Sequence, residues 1–174
     1  MSKPQKLIDR EDIEKTVKRI ASEISNDFKG KNPLFIGVLT GAFVFLSDLI
    51  RQLDFNLEIE FIRLSSYGNK TETSGKVNKV LGLKCEIKNR NLIVVEDIVD
   101  TGYTTSFLLD WLKKKKPTSL KLCALTHKPA RCKVPIKIDY LGFTIPDKFI
   151  VGYGIDFNGQ YRNLPDICFI ENVE

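Results

Sequence analysis

The sequence predicts an α/β fold with a mostly parallel, twisted β-sheet flanked by helices. Short aliphatic runs typical of buried strands recur along the chain, and segments with apolar residues at helical spacing lie between them. Strands that alternate with helices in this way pack as a parallel sheet with helices on its faces. No repeat, low-complexity tract or Pro/Gly linker divides the 174 residues, so we expect one domain over residues 1–174.

The first half of the chain is predicted to hold two helices and two strands. Apolar residues at helical spacing indicate an amphipathic helix over Arg10–Phe28, with Gly30 as its stop. Pro33–Leu39 is predicted as a short buried strand and Phe43–Leu53 as a second helix. The next strand has a period of two, in which glutamates alternate with Leu57, Ile59 and Phe61.

A polar, glycine-punctuated segment, S-S-Y-G-N-K-T-E-T-S-G-K, then runs from Ser65 to Lys76. Loops of about 12 residues are uncommon in compact domains unless they act as lids or binding loops. The composition is compatible both with a lid and with a simple hairpin end.

The second half is predicted to hold three strands and one helix. The continuous apolar run Leu92–Val95 is typical of a strand covered on both faces. A helix over Ser106–Lys115 follows, and Leu120–Thr126 and Ile138–Phe143 are further strands. Ligands bind at the carboxyl ends of the strands in such sheets, so we expect one rim to carry the chemistry. The segments at this rim are Leu39–Gly41, Glu96–Thr105 and His127–Lys128.

Composition and charge exclude several classes of protein. No apolar stretch approaches the roughly 20 residues that span a bilayer, and the N-terminus lacks the apolar core of a signal peptide. We therefore expect a cytoplasmic protein with no membrane partner. The scattered cysteines and the single histidine, His127, do not have zinc-ligand spacing; we expect reduced thiols and a non-catalytic surface histidine. A net charge of +5 suits an anionic ligand, but no nucleic-acid motif accompanies it, so a nucleic-acid partner is not expected.

The segment Thr101-Gly102-Tyr103-Thr104-Thr105 has the features of a phosphate site. A strand-to-helix turn presents free backbone N–H groups, and the helix dipole there favours an anion. Glycine permits close approach, and the threonine hydroxyls add donors, although threonines also serve as simple helix caps. The chain has no G-x-x-x-x-G-K-[ST] loop, which argues against an ATPase.

Glu96 and Asp97 precede this turn, where carboxylates would repel a phosphate. Carboxylates accept hydrogen bonds from adjacent sugar hydroxyls, so the two groups can address different parts of a sugar phosphate. Strict alternation would send Glu96 and Asp97 to opposite faces of a strand. We therefore expect the strand to end at this pair.

The segment V-V-E-D-I-V-D-T-G-Y-T-T, Val94 to Thr105, resembles the phosphoribosyl pyrophosphate signature of type I phosphoribosyltransferases. The resemblance covers nearly the whole chain and narrows to the hypoxanthine-guanine branch. It implies the type I phosphoribosyltransferase fold, with a core over about 30–143 and a small hood formed by the N-terminal segment and about 144–174. Supporting segments are L-T-G-A-F (Leu39–Phe43), F-I-R-L-S-S-Y-G (Phe61–Gly68), T-H-K-P (Thr126–Pro129) and I-P-D-K-F-I-V-G-Y-G-I-D-F-N-G-Q-Y-R-N-L (Ile145–Leu164).

The resemblance implies roles for the residues around the phosphate turn. Glu96 and Asp97 would bind the ribose 2- and 3-hydroxyls, and Asp100 would be the general base or acid at purine N7. The 5-phosphate would be bound by Thr101, Gly102, Tyr103, Thr104 and Thr105. The pyrophosphate would be bound by Arg162 and by the backbone of Leu39, Thr40 and Gly41, often with a non-proline cis peptide. The lid would contain Ser66 and Tyr67.

The same resemblance implies a purine site and a cofactor. Lys128 would donate to the 6-oxo group, Phe149 would stack on the ring, and Ile150 would pair with the base through its backbone. Without the family, Phe149 is typical of a core residue. Asp156 would also belong to the purine site. Magnesium is the implied cofactor, held by Glu96, Asp97 and Asp156.

The implied reaction belongs to purine salvage: N9 of hypoxanthine or guanine displaces pyrophosphate from phosphoribosyl pyrophosphate, giving IMP or GMP. The implied assembly is a homodimer or homotetramer. Thr40 and Tyr103 stand where many members have lysine, so these loops rely more on backbone amides. Two alternatives stay open: a purine phosphoribosyltransferase that prefers xanthine or adenine, and a non-catalytic regulator of the same fold that binds nucleic acid.

Overall fold

The computed structural model describes residues 3–66 and 77–171. The helices and strands of these residues are, in chain order, β1 (Gln5–Ile8), α1 (Arg10–Phe28), β2 (Leu34–Leu39), α2 (Phe43–Ile50), β3 (Glu58–Ser66), β4 (Val77–Leu81), β5 (Asn91–Val99), α3 (Tyr103–Lys113), β6 (Ser119–His127), β7 (Tyr140–Thr144), β8 (Phe149–Val151) and β9 (Ile167–Ile170). A short 3-10 turn, Pro129–Arg131, follows β6.

The strands form two sheets. The larger sheet has the order β4-β3-β2-β5-β6-β7. The strands β3, β2, β5, β6 and β7 run parallel to one another, and the edge strand β4 runs antiparallel to β3. The smaller, antiparallel sheet has the order β1-β9-β8 and joins the two ends of the described chain. The predicted α/β class, with a mostly parallel sheet and a hood formed by terminal segments, is confirmed.

Helix α1 shows why its sequence folds as predicted. The Asp9 side chain accepts a hydrogen bond from the Asp12 backbone N–H at 2.9 Å, which caps the first turn. Gly30, with φ of +81°, follows the last turn in the left-handed conformation that commonly ends helices. The predicted bounds are confirmed, and the buried face packs into the core through Ile13, Val17, Ile20, Ala21, Ile24 and Phe28.

The central strand β5 of the large sheet is buried on both faces, as expected for a parallel strand. In β5, Ile93 and Val95 pack on the side of α1, α2 and the hood, whereas Leu92 and Val94 pack on the side of α3. This double burial explains the continuous apolar run in the sequence.

Two element bounds differ from the predictions in ways that matter for function. Helix α3 begins at Tyr103, not at Ser106, because Gly102 adopts the left-handed conformation (φ +85°) and the helix starts directly after it. Strand β5 does not end at Glu96; it continues to Val99, and that prediction was wrong.

The polar segment after β3 also begins later than predicted. The backbones of Ser65 and Ser66 still pair with Lys79 and Val77 of β4, an edge strand that the sequence analysis missed. Residues 67–76, including the predicted lid residue Tyr67, lie outside the described residues.

Helix α2 is three residues shorter than predicted and ends at Ile50. No helix within the described ranges is long and apolar enough to cross a bilayer.

Candidate active site

A cavity of about 320 Å³ lies at the carboxyl ends of β2 and β5. It contains most of the residues that the sequence analysis assigned to the ribose and phosphate. The lining residues are Val38, Leu39, Leu64, Glu96, Asp97, Ile98, Asp100, Thr101, Gly102, Thr104 and Thr105. Tyr103 is not among them; its side chain is 47% exposed.

Glu96 and Asp97 both line this cavity although β5 continues beyond them. The pairing of β5 with β2 ends at Val95, opposite Gly37, whereas its pairing with β6 continues. The gap between β2 and β5 therefore opens at this point, which gives both carboxylates access to one space. The sequence analysis expected the end of strand β5 to bring both carboxylates to one ligand; the end of the β2–β5 pairing has this effect instead.

The two carboxylates are held in an unfavourable electrostatic environment. Burial raises the pKa of Glu96 well above its ordinary value, and the neighbouring Asp97 raises it further. Burial also raises the pKa of Asp97 to about 6, against the lowering effect of nearby backbone N–H groups and of Arg162. Such groups gain from a ligand that donates hydrogen bonds or brings positive charge.

The loop after β2 lies directly against Asp97. The Leu39–Thr40 peptide bond is cis, as the family resemblance implied. A Cβ at Gly41 would overlap the Asp97 carboxylate, and a Cβ at Gly154 would overlap the Gly41 carbonyl oxygen. Glycine at both positions lets the loop pack between β5 and the hood.

The first turn of α3 forms the far wall of the cavity. Ser106 N–H donates to the Gly102 carbonyl at 2.8 Å, so the three N–H groups before it have no helical acceptor. The Gly102 cap provides no side-chain hydrogen bond, and Thr105 is buried. This turn has the free donors and dipole orientation of an anion site.

A segment that the sequence analysis did not single out supports this turn. The backbone N–H groups of Lys133 and Val134 donate to the Thr101 carbonyl at 2.9 and 3.2 Å. A Cβ at Gly102 would lie 2.5 Å from the Val134 carbonyl oxygen. Backbone contacts of this kind depend on the tertiary fold, so the side-chain types at these positions give no signal for them.

Asp100, the predicted general base or acid, faces Arg131 from the turn after β6. Arg131 Nε lies 3.0 Å from Asp100 Oδ1, and Arg131 Nη1 lies 3.6 Å from Asp147 Oδ1. Asp100 Oδ1 is enclosed and accepts no hydrogen bond from the described residues, because the Nε–H does not point at it. The sequence analysis did not assign Arg131.

Lys128 is a buried lysine, with 4% of its surface exposed. Its ammonium group forms no ion pair or side-chain hydrogen bond with the described residues. Burial lowers the pKa of Lys128, and the charge of Asp100 opposes that effect. A buried cation without a partner is unusual in a structural role and common in a ligand site.

Phe149 is exposed to 41%, so the core assignment that its apolar neighbours suggest does not hold. Its ring packs edge-to-face on Phe157, with 5.2 Å between centroids. The next residue, Ile150, is buried in the hood. The exposed part of Phe149 is accessible to a ligand.

Asp156 and Arg162 form an ion pair in which Arg162 Nη2 lies 2.7 Å from Asp156 Oδ1. Arg162 Nη1 also donates to the Gly154 carbonyl at 2.7 Å, next to the loop of Gly41. Gly159 N–H donates to the second Asp156 oxygen at 2.8 Å. The two side chains are already paired with each other, and the charges of both act on Asp97, although neither side chain lines the cavity.

Glu96, Asp97 and Asp156 do not form a preassembled metal cage. Among the described residues, no three His, Cys, Asp or Glu side chains come together as a metal site. Magnesium commonly binds through one or two carboxylates plus substrate phosphates, and the buried Glu96–Asp97 pair fits that mode.

His127 is not the surface residue that the sequence analysis expected. Its ring is half-buried at the end of β6, and Nε2 is enclosed with no hydrogen-bond partner among the described residues. The adjacent β7 covers it: His127 pairs with Thr144, and its carbonyl accepts from Ile145 N–H.

The family described as "Phosphoribosyl transferase domain" matches residues 5–158 of the chain. The hypoxanthine-guanine phosphoribosyltransferase of Bacillus subtilis is 43% identical over 161 residues, which are 92% of this chain and 89% of that protein. The "Bifunctional protein TilS/HprT" of Listeria monocytogenes is 42% identical over 95% of this chain, which spans only 26% of that protein's length.

The comparison with solved structures agrees. The crystal structure of a Bacillus anthracis hypoxanthine-guanine phosphoribosyltransferase superposes with a TM-score of 0.89 at 49% identity, over 95% of this chain and 98% of that chain. Sequence, sheet order and cavity position all lead to one assignment: the chain belongs to the phosphoribosyl transferase domain family.

Proposed function

We propose that the protein transfers the 5-phosphoribosyl group of phosphoribosyl pyrophosphate to N9 of hypoxanthine or guanine, giving IMP or GMP and pyrophosphate. The observation that carries the proposal is the combination of groups in one cavity. The Glu96–Asp97 pair, Asp100 and the first turn of α3 line the same space at the sheet edge. Relatives that align with 92–95% of the chain are named for this activity.

In this proposal Glu96 and Asp97 accept hydrogen bonds from the ribose 2- and 3-hydroxyls. The raised pKa values of both groups support this role, because hydroxyl donors stabilise the ionised forms. The 5-phosphate is bound at the start of α3 by backbone N–H groups and hydroxyls. Its ligands are Thr101, Gly102, Tyr103, Thr104 and Thr105.

The base lies between the sheet and the hood. Lys128 donates to the 6-oxo oxygen, Phe149 stacks on the ring, and the Ile150 backbone pairs with the base edge. An ammonium group only donates, so it recognises an oxo group and rejects the amino group of adenine. Its burial without a partner supports this assignment.

Asp100 accepts or manages the purine proton at N7 as N9 attacks the ribose. The Asp100 side chain lines the cavity and is 35% exposed, so its accessible part can serve this task. Negative charge grows on the leaving pyrophosphate, where the amides of Leu39, Thr40 and Gly41 and the guanidinium of Arg162 stabilise it.

Magnesium is the proposed cofactor. Glu96 and Asp97 would hold it together with substrate oxygens, and Asp156 would add negative charge nearby. When bound, the ion supplies positive charge that balances the pyrophosphate. Ser66 and Tyr67 are proposed to belong to a lid that excludes water, a role that would fall largely on residues 67–76.

The test is an assay of the purified protein with phosphoribosyl pyrophosphate, magnesium and each of hypoxanthine, guanine, xanthine and adenine. We expect nucleoside monophosphate and pyrophosphate in equal amounts with hypoxanthine or guanine. Asp100→Asn should lower the single-turnover rate by about 10²-fold or more. Release of no pyrophosphate with any purine would refute the proposal.

Xanthine is a second candidate substrate. The "Hypoxanthine-guanine-xanthine phosphoribosyltransferase" of Tritrichomonas foetus is 44% identical over 95% of this chain. The same assay separates the two cases, because a xanthine rate comparable to that of hypoxanthine would extend the substrate class.

We further propose a homodimer or homotetramer. Phe43 at the start of α2 and Ile59 and Phe61 of β3 are each exposed to about 40%. Leu46 of α2 and Phe61 approach each other across Gly37, where an added Cβ would contact both. An apolar surface of this kind is suited to a second copy of the chain.

A further inference from the structure

Four charged side chains from three separate segments interact with one another beside the cavity, which Asp100 lines. Asp100 follows β5, Lys128 and Arg131 follow β6, and Asp147 precedes β8. Arg131 lies 3.0 Å from Asp100 and 3.6 Å from Asp147, measured between the nearest nitrogen and oxygen. The two acids and two cations balance in charge, but they are not paired evenly.

Arg131 forms ion pairs with both acids, whereas Lys128 forms none with either of them. Asp100 and Asp147 both exert a favourable charge effect on Lys128, yet neither forms an ion pair with it. Arg131 forms ion pairs with both acids instead. Arg131 is therefore the cation that neutralises the acids, and the buried Lys128 keeps its donors free.

We infer that Arg131 is a positioning residue that holds Asp100 away from Lys128, so that Asp100 stays available to the purine N7 and Lys128 to the 6-oxo group. This inference rests on the proposed function. It assigns to Arg131 a part in base recognition, although Arg131 itself need not touch the base.

The geometry explains why an arginine suits this position. Its guanidinium is always charged and can face two carboxylates at once. The Nε–H does not point at Asp100 Oδ1, so the attraction is electrostatic, and the exposed part of the Asp100 side chain still faces the cavity. Lys128 already interacts with Asp100 through its charge, so without Arg131 the two could pair, which would occupy both groups that recognise the base.

The first experiment is steady-state kinetics of Arg131→Gln with phosphoribosyl pyrophosphate, magnesium and hypoxanthine. Because Arg131 and Asp100 are 48% and 35% exposed, solvent screens part of the effect, and we expect changes of roughly tenfold. We expect kcat to fall and KM for hypoxanthine to rise by about this factor, while KM for phosphoribosyl pyrophosphate changes less than about twofold. Arg131→Lys should recover part of the loss.

The split between the two KM values excludes a merely structural role. The adjacent residues Lys133 and Val134 support the phosphate turn through Thr101, so collapse of this segment would raise KM for phosphoribosyl pyrophosphate as well. Lys84→Gln removes one charge from an exposed lysine elsewhere and should leave all constants unchanged. If Arg131→Gln unfolds at the assay temperature, Arg131→Lys decides the question.

A double-mutant cycle supplies the second readout. In Asp100→Asn the residue can no longer pair with Lys128, so the further change Arg131→Gln should leave KM for hypoxanthine unchanged. Full additivity in the double variant, an unchanged kcat in Arg131→Gln, or an equal rise of both KM values would overturn the inference. An inactive wild-type protein would instead refute the proposed function.

Discussion

At the scale of single residues, the site contains ionisable groups whose surroundings disfavour their charged forms when no ligand is bound. Glu96 and Asp97 lie side by side and mostly out of water, and Lys128 is buried without an ion pair among the described residues. Each arrangement disfavours the charged form of the group. Ligand groups of complementary charge or hydrogen-bonding character remove that disadvantage, which links the local chemistry to binding.

Asp97→Asn should stabilise the protein free of metal and substrate, and the gain should depend on pH. The pKa of Asp97 is raised from 3.8 to about 6, so the folded state retains a proton that the unfolded state loses between these values. The wild-type protein therefore loses stability as pH rises through this range, by up to about 3 kcal/mol. The variant lacks this loss, so its advantage is present above about pH 6 and absent near pH 4.

Denaturant unfolding at about pH 4 and about pH 8 measures this effect. Asp110→Asn, at an exposed carboxylate on α3, is the matched control and should show no such difference. A variant with the same advantage at both pH values would contradict the electrostatic explanation.

Lys128→Ala should weaken the preference for a 6-oxopurine. Loss of a buried donor contributes about 1–3 kcal/mol, which is roughly 5- to 150-fold in the ratio of kcat/KM for hypoxanthine to that for adenine. KM for phosphoribosyl pyrophosphate should change little, because the proposed phosphate-binding residues lie on other segments. An equal loss in both constants would show that Lys128 supports the fold and does not read the base.

At the scale of elements, the start of α3 and the end of the β2–β5 ladder create the cavity. Both depend on backbone geometry: the left-handed Gly102 lets the helix begin at once, and the loss of pairing beyond Val95 opens the sheet. The carboxylates and the phosphate turn then face one space from neighbouring elements.

Gly102→Ala tests the phosphate turn, with Gly30→Ala as the control. Both glycines have positive φ, +85° and +81°, but only an alanine at Gly102 meets a backbone atom, 2.5 Å from the Val134 oxygen. We expect Gly30→Ala to destabilise the protein by about 1 kcal/mol and Gly102→Ala by about 1–3 kcal/mol.

Kinetics distinguishes the two glycine variants further. Only Gly102→Ala should raise KM for phosphoribosyl pyrophosphate, because it displaces the turn from Val134. Equal KM values for phosphoribosyl pyrophosphate in both variants would show that the phosphate does not bind at this turn.

At the scale of the whole molecule, the hood and the core meet at the cavity edge. Tyr153 O–H donates to Asp48 Oδ2 of α2 at 2.7 Å, and Gly154 packs on the carbonyl of Gly41. Arg10 N–H donates to Asp166 at 2.8 Å and joins α1 to the segment before β9. These contacts hold the segment after β8 and the loop of Gly41 against each other.

Phe61→Glu should disrupt assembly. A charge in an apolar interface loses hydration without gaining a partner, so a dimer that buries Phe61 should dissociate. Sedimentation velocity should show a wild-type dimer or tetramer and a smaller species for the variant, while Lys84→Glu should leave assembly unchanged. A wild-type monomer at micromolar concentration would contradict the proposed interface.

Much of this molecule could be predicted from local patterns. The bounds of α1, the double burial of β5 and the alternation of strands and helices from β2 to β7, apart from β4, follow from spacing and composition. The strands β1, β8 and β9 of the small sheet were not predicted. The edge strand β4 was missed because its short, partly polar sequence carries little signal. This segment forms a strand through backbone pairing with β3, which its own side chains do not reveal.

The sequence by itself determined the fold class and the chemical groups of the site, because hydrophobic periodicity and the E-D-x-x-D-T-G-x-T-T pattern are local properties. Tertiary structure decided how those groups are used. The separation of β2 from β5 gives Glu96 and Asp97 one common space, and the approach of Arg131 to Asp100 leaves Lys128 unpaired. Both depend on distances between segments that are remote in the chain, and spacing along one strand or helix cannot encode them.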